Sequence, residues 1–120
     1  MKKTLVFGAS TKPSRYSYIT IQRLVEAKHK TLAFGVKEGS VSGVPIRTST
    51  RDFKDVDTIT LYLNPSRQKE YYESIIALKP RRVIFNPGTE NPEFYPLLKK
   101  NGIIPEVACT LVLLATDQYD

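Results

Sequence analysis

Short apolar runs that break off at turn residues constrain this chain more than any other feature. Residues 3–7, 31–34, 58–63, 82–85 and 103–107 each read as a strand. The first four exit through Gly8, Gly35, Asn64-Pro65 and Asn86-Pro87. Helical periodicity lies between most of them. Over residues 17–28, Tyr18, Ile21, Leu24 and Val25 form one apolar stripe while Gln22, Arg23 and Glu26 face outward. Strands alternating with helices predict an α/β fold with a doubly wound, mostly parallel sheet and helices on both faces. The expected strand order is 3-2-1-4-5-6. Strand 3 would be residues 44–46, which Pro45 should confine to a sheet edge.

Local signals refine the elements. Ser14 or Ser17 can cap the first helix, and Asn64-Pro65 reads as N-cap and first helical residue of the next. Residues 36–56 carry no helix pattern, and Gly39, Ser40, Ser42 and Gly43 suggest a loop. Asn91-Pro92 is placed to start a helix running on through Phe94, Leu97 and Leu98, with Pro96 in its first turn. A terminal helix over residues 110–118 should turn Leu111, Leu114 and Ala115 inward.

With 120 residues, 41% apolar and 25% charged, the chain is expected to form one globular domain, 1–120. No apolar run approaches the ~20 residues that span a bilayer, and the start is too short in apolar residues for a signal peptide. No membrane association and a cytoplasmic location follow as expectations. The single cysteine, Cys109, excludes an internal disulfide and a thiolate zinc site. The net charge of +6 suggests an anionic partner. Its basic groups, Lys28-His29-Lys30, Lys79-Pro80-Arg81-Arg82 and Lys99-Lys100, fall where helices should end and strands begin. Solvated cations complement helix C-termini there, so nucleic acid is not the expected partner.

On a doubly wound sheet, ligands bind beyond the carboxyl ends of the strands at the switch point. The first exit, Gly8-Ala9-Ser10-Thr11-Lys12-Pro13, offers backbone N–H groups and a helix N-terminus to a phosphate. A dinucleotide fingerprint places glycines where this chain has Gly8, Ser10 and Pro13, so only the first glycine is present. The second exit reads Phe34-Gly35-Val36-Lys37, without the carboxylate that NAD enzymes use on the ribose. Lys37 there suits a phosphorylated ribose, which NADP and coenzyme A both carry.

Gly8-Ala9-Ser10 with Arg15-Tyr16-Ser17, the strand exit Leu63-Asn64-Pro65, the run Asn86-Pro87-Gly88-Thr89-Glu90-Asn91 and the ending Ala108-Cys109-Thr110 together resemble the small stand-alone CoA-binding proteins of bacteria and archaea. These are Rossmann-like domains similar to the CoA-binding domain of the succinyl-CoA synthetase alpha subunit. The resemblance covers essentially the whole chain. It implies coenzyme A or an acyl-CoA as ligand. The ADP moiety would rest on Gly8, Ala9, Ser10, Arg15, Tyr16 and Ser17, with Gly35 and Lys37 near the 3′-phosphate or adenine. The pantetheine arm would cross Leu63, Asn64, Pro65, Asn86, Pro87 and Gly88. These 120 residues are not expected to include the synthetase's phosphohistidine domain, and His29 reads as an exposed helix-end residue.

No catalytic triad or Walker sequence is present, so a binding or regulatory module is the leading reading. An NADP-dependent oxidoreductase and a ligand-free interaction module are the alternatives, with a homodimer or a protein partner left open. Cys109 follows the last strand, where a thiol partner such as the CoA thiol could meet it, although a free cysteine commonly serves as a small buried hydrophobe. Tyr16, Tyr18, Tyr62 and Tyr72 are candidates for core packing more than for adenine stacking.

Overall fold

The computed structural model describes residues 2–120. In chain order it contains β1 (Lys3–Phe7), α1 (Tyr16–Glu26), β2 (Lys30–Phe34), β3 (Gly39–Val41), β4 (Val44–Arg47) and β5 (Val56–Leu61). Then come α2 (Pro65–Gln68), a 3-10 turn (Lys69–Tyr71), α3 (Tyr72–Ala77), β6 (Arg82–Phe85), α4 (Tyr95–Lys100), β7 (Ile104–Val107) and α5 (Thr110–Ala115). The strands form one sheet in the order β3-β4-β2-β1-β5-β6-β7, parallel except for the β3–β4 hairpin. The α/β doubly wound class and the central order are as the sequence predicts.

Successive side chains of β1 go to opposite faces. Leu5 and Phe7 join Phe34, Ile59, Leu61 and Phe85 in a core covered by Ile75 of α3 and by Phe94 and Leu98 around α4. Val6 joins Ala33, Ile46 and Ile84 in a second core covered by Ile21 and Leu24 of α1, with Leu113 and Leu114 of α5 packed against it. Burial on both faces is what a parallel sheet requires, and it explains strands that read as continuous apolar runs.

The sheet has one strand more than the sequence suggests. Val41 faces Val44 across a two-residue turn in which Ser42 (φ 50°) and Gly43 (φ 80°) are both left-handed, as a tight hairpin turn of that twist demands. The strand containing Pro45 is therefore not at the edge; β3 is. Its proline is tolerated because the ladder with β2 involves only Ile46 and Arg47.

Helix boundaries also differ from expectation. Arg15 occupies the N-cap of α1 with no side-chain cap bond, so neither Ser14 nor Ser17 caps it. Asn64 does cap α2 as predicted: its side chain accepts the Arg67 N–H at 3.1 Å, with Pro65 at the first helical position. The helix after Asn91-Pro92 starts only at Tyr95, which places Pro96 early in the first turn, where its missing N–H costs no helical bond. In α5, Leu113 takes the inward place expected of Leu111, and Ala115 is exposed.

The basic cluster at the start of β6 is not simply solvated. Arg81 holds Asp57 through two bonds, Nε to Oδ1 at 3.0 Å and Nη2 to Oδ2 at 3.1 Å. Partial burial pushes the Asp57 carboxyl up. The Arg81 and Thr58 hydrogen bonds and the Arg81 charge outweigh that and leave it below its usual value. Arg82 is only 6% exposed. Its guanidinium donates to the Thr58 hydroxyl at 2.9 Å, to Glu106 at 3.0 Å and to the Tyr119 carbonyl, and lies over the Tyr119 ring. His29 is half-buried rather than exposed, edge-on to Tyr119 with ring centroids 4.9 Å apart. Arg82 and the His29 ring therefore hold the C-terminal segment against the amino ends of the strands, while Arg81 ties the start of β6 to β5. Among the described residues no helix is long and apolar enough to cross a membrane.

Candidate functional site

At the carboxyl ends of β1, β2, β5 and β6 lies an open cleft of about 480 Å³. Its first wall is the turn after β1. Gly8 has φ +101°, a conformation glycine adopts without strain, and a Cβ there would lie 3.1 Å from the Leu63 side chain. The N–H groups of Gly8 and Ala9 both donate to the Phe34 carbonyl, at 2.9 and 2.8 Å. The turn is thus stapled to the end of β2, and those two donors are not free for a phosphate. Beyond them the Lys12 N–H donates to the Ser10 hydroxyl at 3.1 Å and the Arg15 N–H to the Lys12 carbonyl at 3.0 Å. No hydrogen bond of the described residues uses the N–H of Ser10, Thr11, Tyr16 or Ser17. The donors left free for an anion therefore lie toward the start of α1, where they converge with the helix dipole.

The second wall is the exit of β2. The Gly35 N–H donates to the Arg47 carbonyl at 2.9 Å. Val36 and Lys37 follow on the cleft side, and Val36 is 64% exposed. Tyr16 faces the same cleft and is 71% exposed, so it does not join the core as Tyr18, Tyr62 and Tyr72 do. Two exposed apolar surfaces beside free N–H groups suit a flat ring attached to phosphate.

The third wall is built from the exits of β5 and β6, and one buried residue joins them. Gln68 is fully buried in α2, and its amide nitrogen donates to the Leu63 and Thr89 carbonyls, both at 2.8 Å. Its amide oxygen accepts from Asn91 at 2.9 Å, and Asn91 in turn donates to the Tyr72 hydroxyl at 2.8 Å. Asn86 is 2% exposed and fully engaged. Its Nδ2 donates to the Thr60 hydroxyl at 2.7 Å and the Leu61 carbonyl at 2.8 Å, while its Oδ1 accepts the Thr110 N–H at 2.9 Å. Asn86 shapes the exit from beneath and does not face the cleft; Pro65 does not face it either. Leu63, Asn64, Pro87 and Gly88 do.

Cys109 stands half-buried as the N-cap of α5 and is not among the residues facing the cleft. The Tyr62 hydroxyl lies near it. That hydroxyl, hydrogen-bonded to Thr20, is pushed above the usual tyrosine value chiefly by burial, so it stays protonated and offers no base.

Lys12, Arg15, Lys37 and Arg67 face the cleft, and among the described residues no carboxylate lines it; Glu90 borders the third wall, accepting the N–H of Gly88 at 2.8 Å. Sequence reasoning identified Arg15 and Lys37 but missed Lys12, Arg67, Gln68 and the aromatic floor residue Tyr71. Lys12 was legible, since it lies in the same turn. Arg67 follows from the Asn64 cap, which fixes where the first turn of α2 points. A further hollow of about 380 Å³, lined by Lys2, Lys28, His29, Lys30 and Asp120, lies at the opposite, amino end of the sheet.

A sheet switch point with free N–H donors and four cations, and with no acid among the described lining residues, has the features a polyanionic nucleotide would require. Over residues 2–115 the chain matches the family described as CoA binding domain, and it belongs to that family. No curated protein matches it. Among solved structures it is similar to an uncharacterised protein at 46% identity and TM-score 0.94, with 98% of each chain covered. It is also similar in fold to a Thermus thermophilus protein, cell-free ID.343, at 24% identity and TM-score 0.87, covering 98% of this chain and 90% of that one. A conserved hypothetical protein from Pyrococcus furiosus gives 24% identity and TM-score 0.83, covering 93% and 98%.

Proposed function

We propose that the cleft binds coenzyme A or an acyl-CoA, and that the protein serves as a non-catalytic binding or regulatory module in the cytoplasm. The observation that carries this reading is the set of Lys12, Arg15, Lys37 and Arg67 around a cleft that no carboxylate lines among the described residues. CoA brings a pyrophosphate and a 3′-phosphate, so it needs cations in two places. In the proposed pose the pyrophosphate takes the free N–H groups of Ser10, Thr11, Tyr16 and Ser17 together with Arg15. The adenine lies between Tyr16 and Val36, and Lys37 meets the 3′-phosphate. The pantetheine arm runs past Leu63 and Asn64 toward Pro87 and Gly88, where exposed backbone carbonyls suit the N–H groups of its two amides, the Gly88 N–H being taken by the Glu90 carboxylate at 2.8 Å. The reading uses no covalent step at Cys109.

Thermal unfolding with CoA, dephospho-CoA, NADP and NAD tests it. At a concentration near a hundredfold its Kd, CoA is expected to stabilise the fold by about 2.7 kcal/mol. Dephospho-CoA, lacking the 3′-phosphate, is expected to bind roughly tenfold more weakly, a difference of about 1.4 kcal/mol. In a Lys37→Ala variant the two should bind alike. Stabilisation by the nicotinamide nucleotides alone would instead favour the oxidoreductase reading and sink this one.

A further inference from the structure

Gly39 is the first residue of the edge strand β3, is exposed, and does not have the left-handed backbone that would call for glycine. What it lacks is room. A Cβ at Gly39 would lie 2.5 Å from the Cγ2 methyl of Thr11, with Thr11 Cβ at 3.9 Å. Thr11 belongs to the turn after β1, and it faces the cleft with its N–H free. The same turn touches the hairpin arm at a second bare point, since a Cβ on Gly35 would lie 2.4 Å from the Ala9 carbonyl oxygen. The turn is therefore laid across two glycines, one at the exit of β2 and one at the start of β3. Between them the arm carries Val36 and Lys37, which face the cleft from the other side.

We infer that the β3–β4 hairpin sets the position of the phosphate-binding turn, with Gly39 acting as a positioning residue through the Thr11 methyl. This rests on the CoA reading for its effect on affinity, but the steric coupling does not. A methyl at residue 39 leaves the loop two ways to relieve the contact. Thr11 can leave its rotamer, which moves its hydroxyl, or the backbone from Ser10 to Lys12 must shift away from the hairpin. A β-branched side chain has few alternative wells, so both routes displace groups that line the cleft. Binding sites held only approximately in place lose affinity without losing their fold.

The test is a double-mutant cycle on the full chain with Gly39→Ala, Thr11→Ser and the two combined. Serine keeps the hydroxyl and N–H of residue 11 and removes only the methyl in question. Two readouts are taken: the amide NMR shifts of residues 10–15 without ligand, and CoA affinity by calorimetry. Gly39→Ala is expected to displace the shifts and to weaken CoA binding about tenfold. Its thermal midpoint should stay close to that of the unmodified protein, because an exposed edge glycine contributes little to the core. Thr11→Ser sets the reference of the cycle, and adding Gly39→Ala to it should change neither shifts nor affinity further. Such a loss of effect is not expected of a substitution that merely loosens the fold. The inference is overturned if Gly39→Ala binds CoA normally, or if it impairs Thr11→Ser as much as it impairs the unmodified protein. If the unmodified protein itself fails to bind CoA, the CoA reading falls. The ligand-free shifts then decide the positioning role, upheld if Gly39→Ala leaves those of Thr11→Ser in place and overturned if it displaces them as in the unmodified protein.

Discussion

Replacing Asn86 by aspartate is expected to destabilise the fold by on the order of 3–5 kcal/mol at neutral pH, although the two side chains have the same shape. The asparagine sits at the exit of β6 almost wholly out of water, and every polar atom it has is engaged. Aspartate would keep the acceptor for the Thr110 N–H. Its second oxygen would face the Leu61 carbonyl, which can only accept, at the 2.8 Å where Nδ2 now donates. A carboxylate in that place is both desolvated and repelled, so its folded-state pKa would rise above the unfolded one. For an acid shifted upward the folded state holds the proton more tightly, and stability falls as pH rises between the two values. The deficit of Asn86→Asp should therefore shrink toward pH 4 and be largest above neutrality. Thermal melts across that range measure it. A neutral-pH midpoint near that of the unmodified protein would show that Asn86 does not hold β5, β6 and the start of α5 together.

The second large effect is expected at Gly35. In a compatible backbone position glycine to alanine stabilises by about 0.4–1 kcal/mol, through the unfolded chain. Gly35 is outside the left-handed region, so sterics alone decide the sign. Its hypothetical Cβ is 2.4 Å from the Ala9 carbonyl oxygen and 3.1 Å from the Ile46 methyl. Neither neighbour can give easily. Ala9 is tied by its N–H to the Phe34 carbonyl, and the Gly35 N–H is tied to Arg47. Gly35→Ala is expected to cost on the order of 3 kcal/mol and to spread the first two strand exits apart. Denaturant midpoints would read the first effect and CoA affinity the second. A variant as stable as the unmodified protein would mean that the turn after β1 is free to move.

The sequence carried the parts of this architecture that are local. Continuous apolar runs announced a sheet buried on both faces, and Asn64-Pro65 announced its own cap. The β3 strand escaped because Gly39-Ser40-Val41 is too short and too glycine- and serine-rich to show strand periodicity, and only the Ser42-Gly43 turn betrays the hairpin. Arg82 looked like a solvated helix-end cation because Thr58, Glu106 and Tyr119 are far from it along the chain. They meet only once β5, β6 and β7 are in register. Gln68 was invisible for a similar reason: a glutamine on a short helix reads as a surface residue until two strand exits present their carbonyls to it. At the first exit the sequence located the turn proposed to hold phosphate, but not which of its N–H groups are spent. That depends on the Phe34 carbonyl, hence on the pairing of β1 with β2.

Crystals grown with saturating CoA test the central claim most directly. The account predicts density for the ligand across the carboxyl ends of β1, β2, β5 and β6. Its pyrophosphate should lie within about 2.7–3.2 Å of the N–H groups at Ser10, Thr11, Tyr16 or Ser17. Density instead at the amino end of the sheet, among Lys2, Lys28, His29 and Lys30, or an empty cleft at saturation, would contradict it.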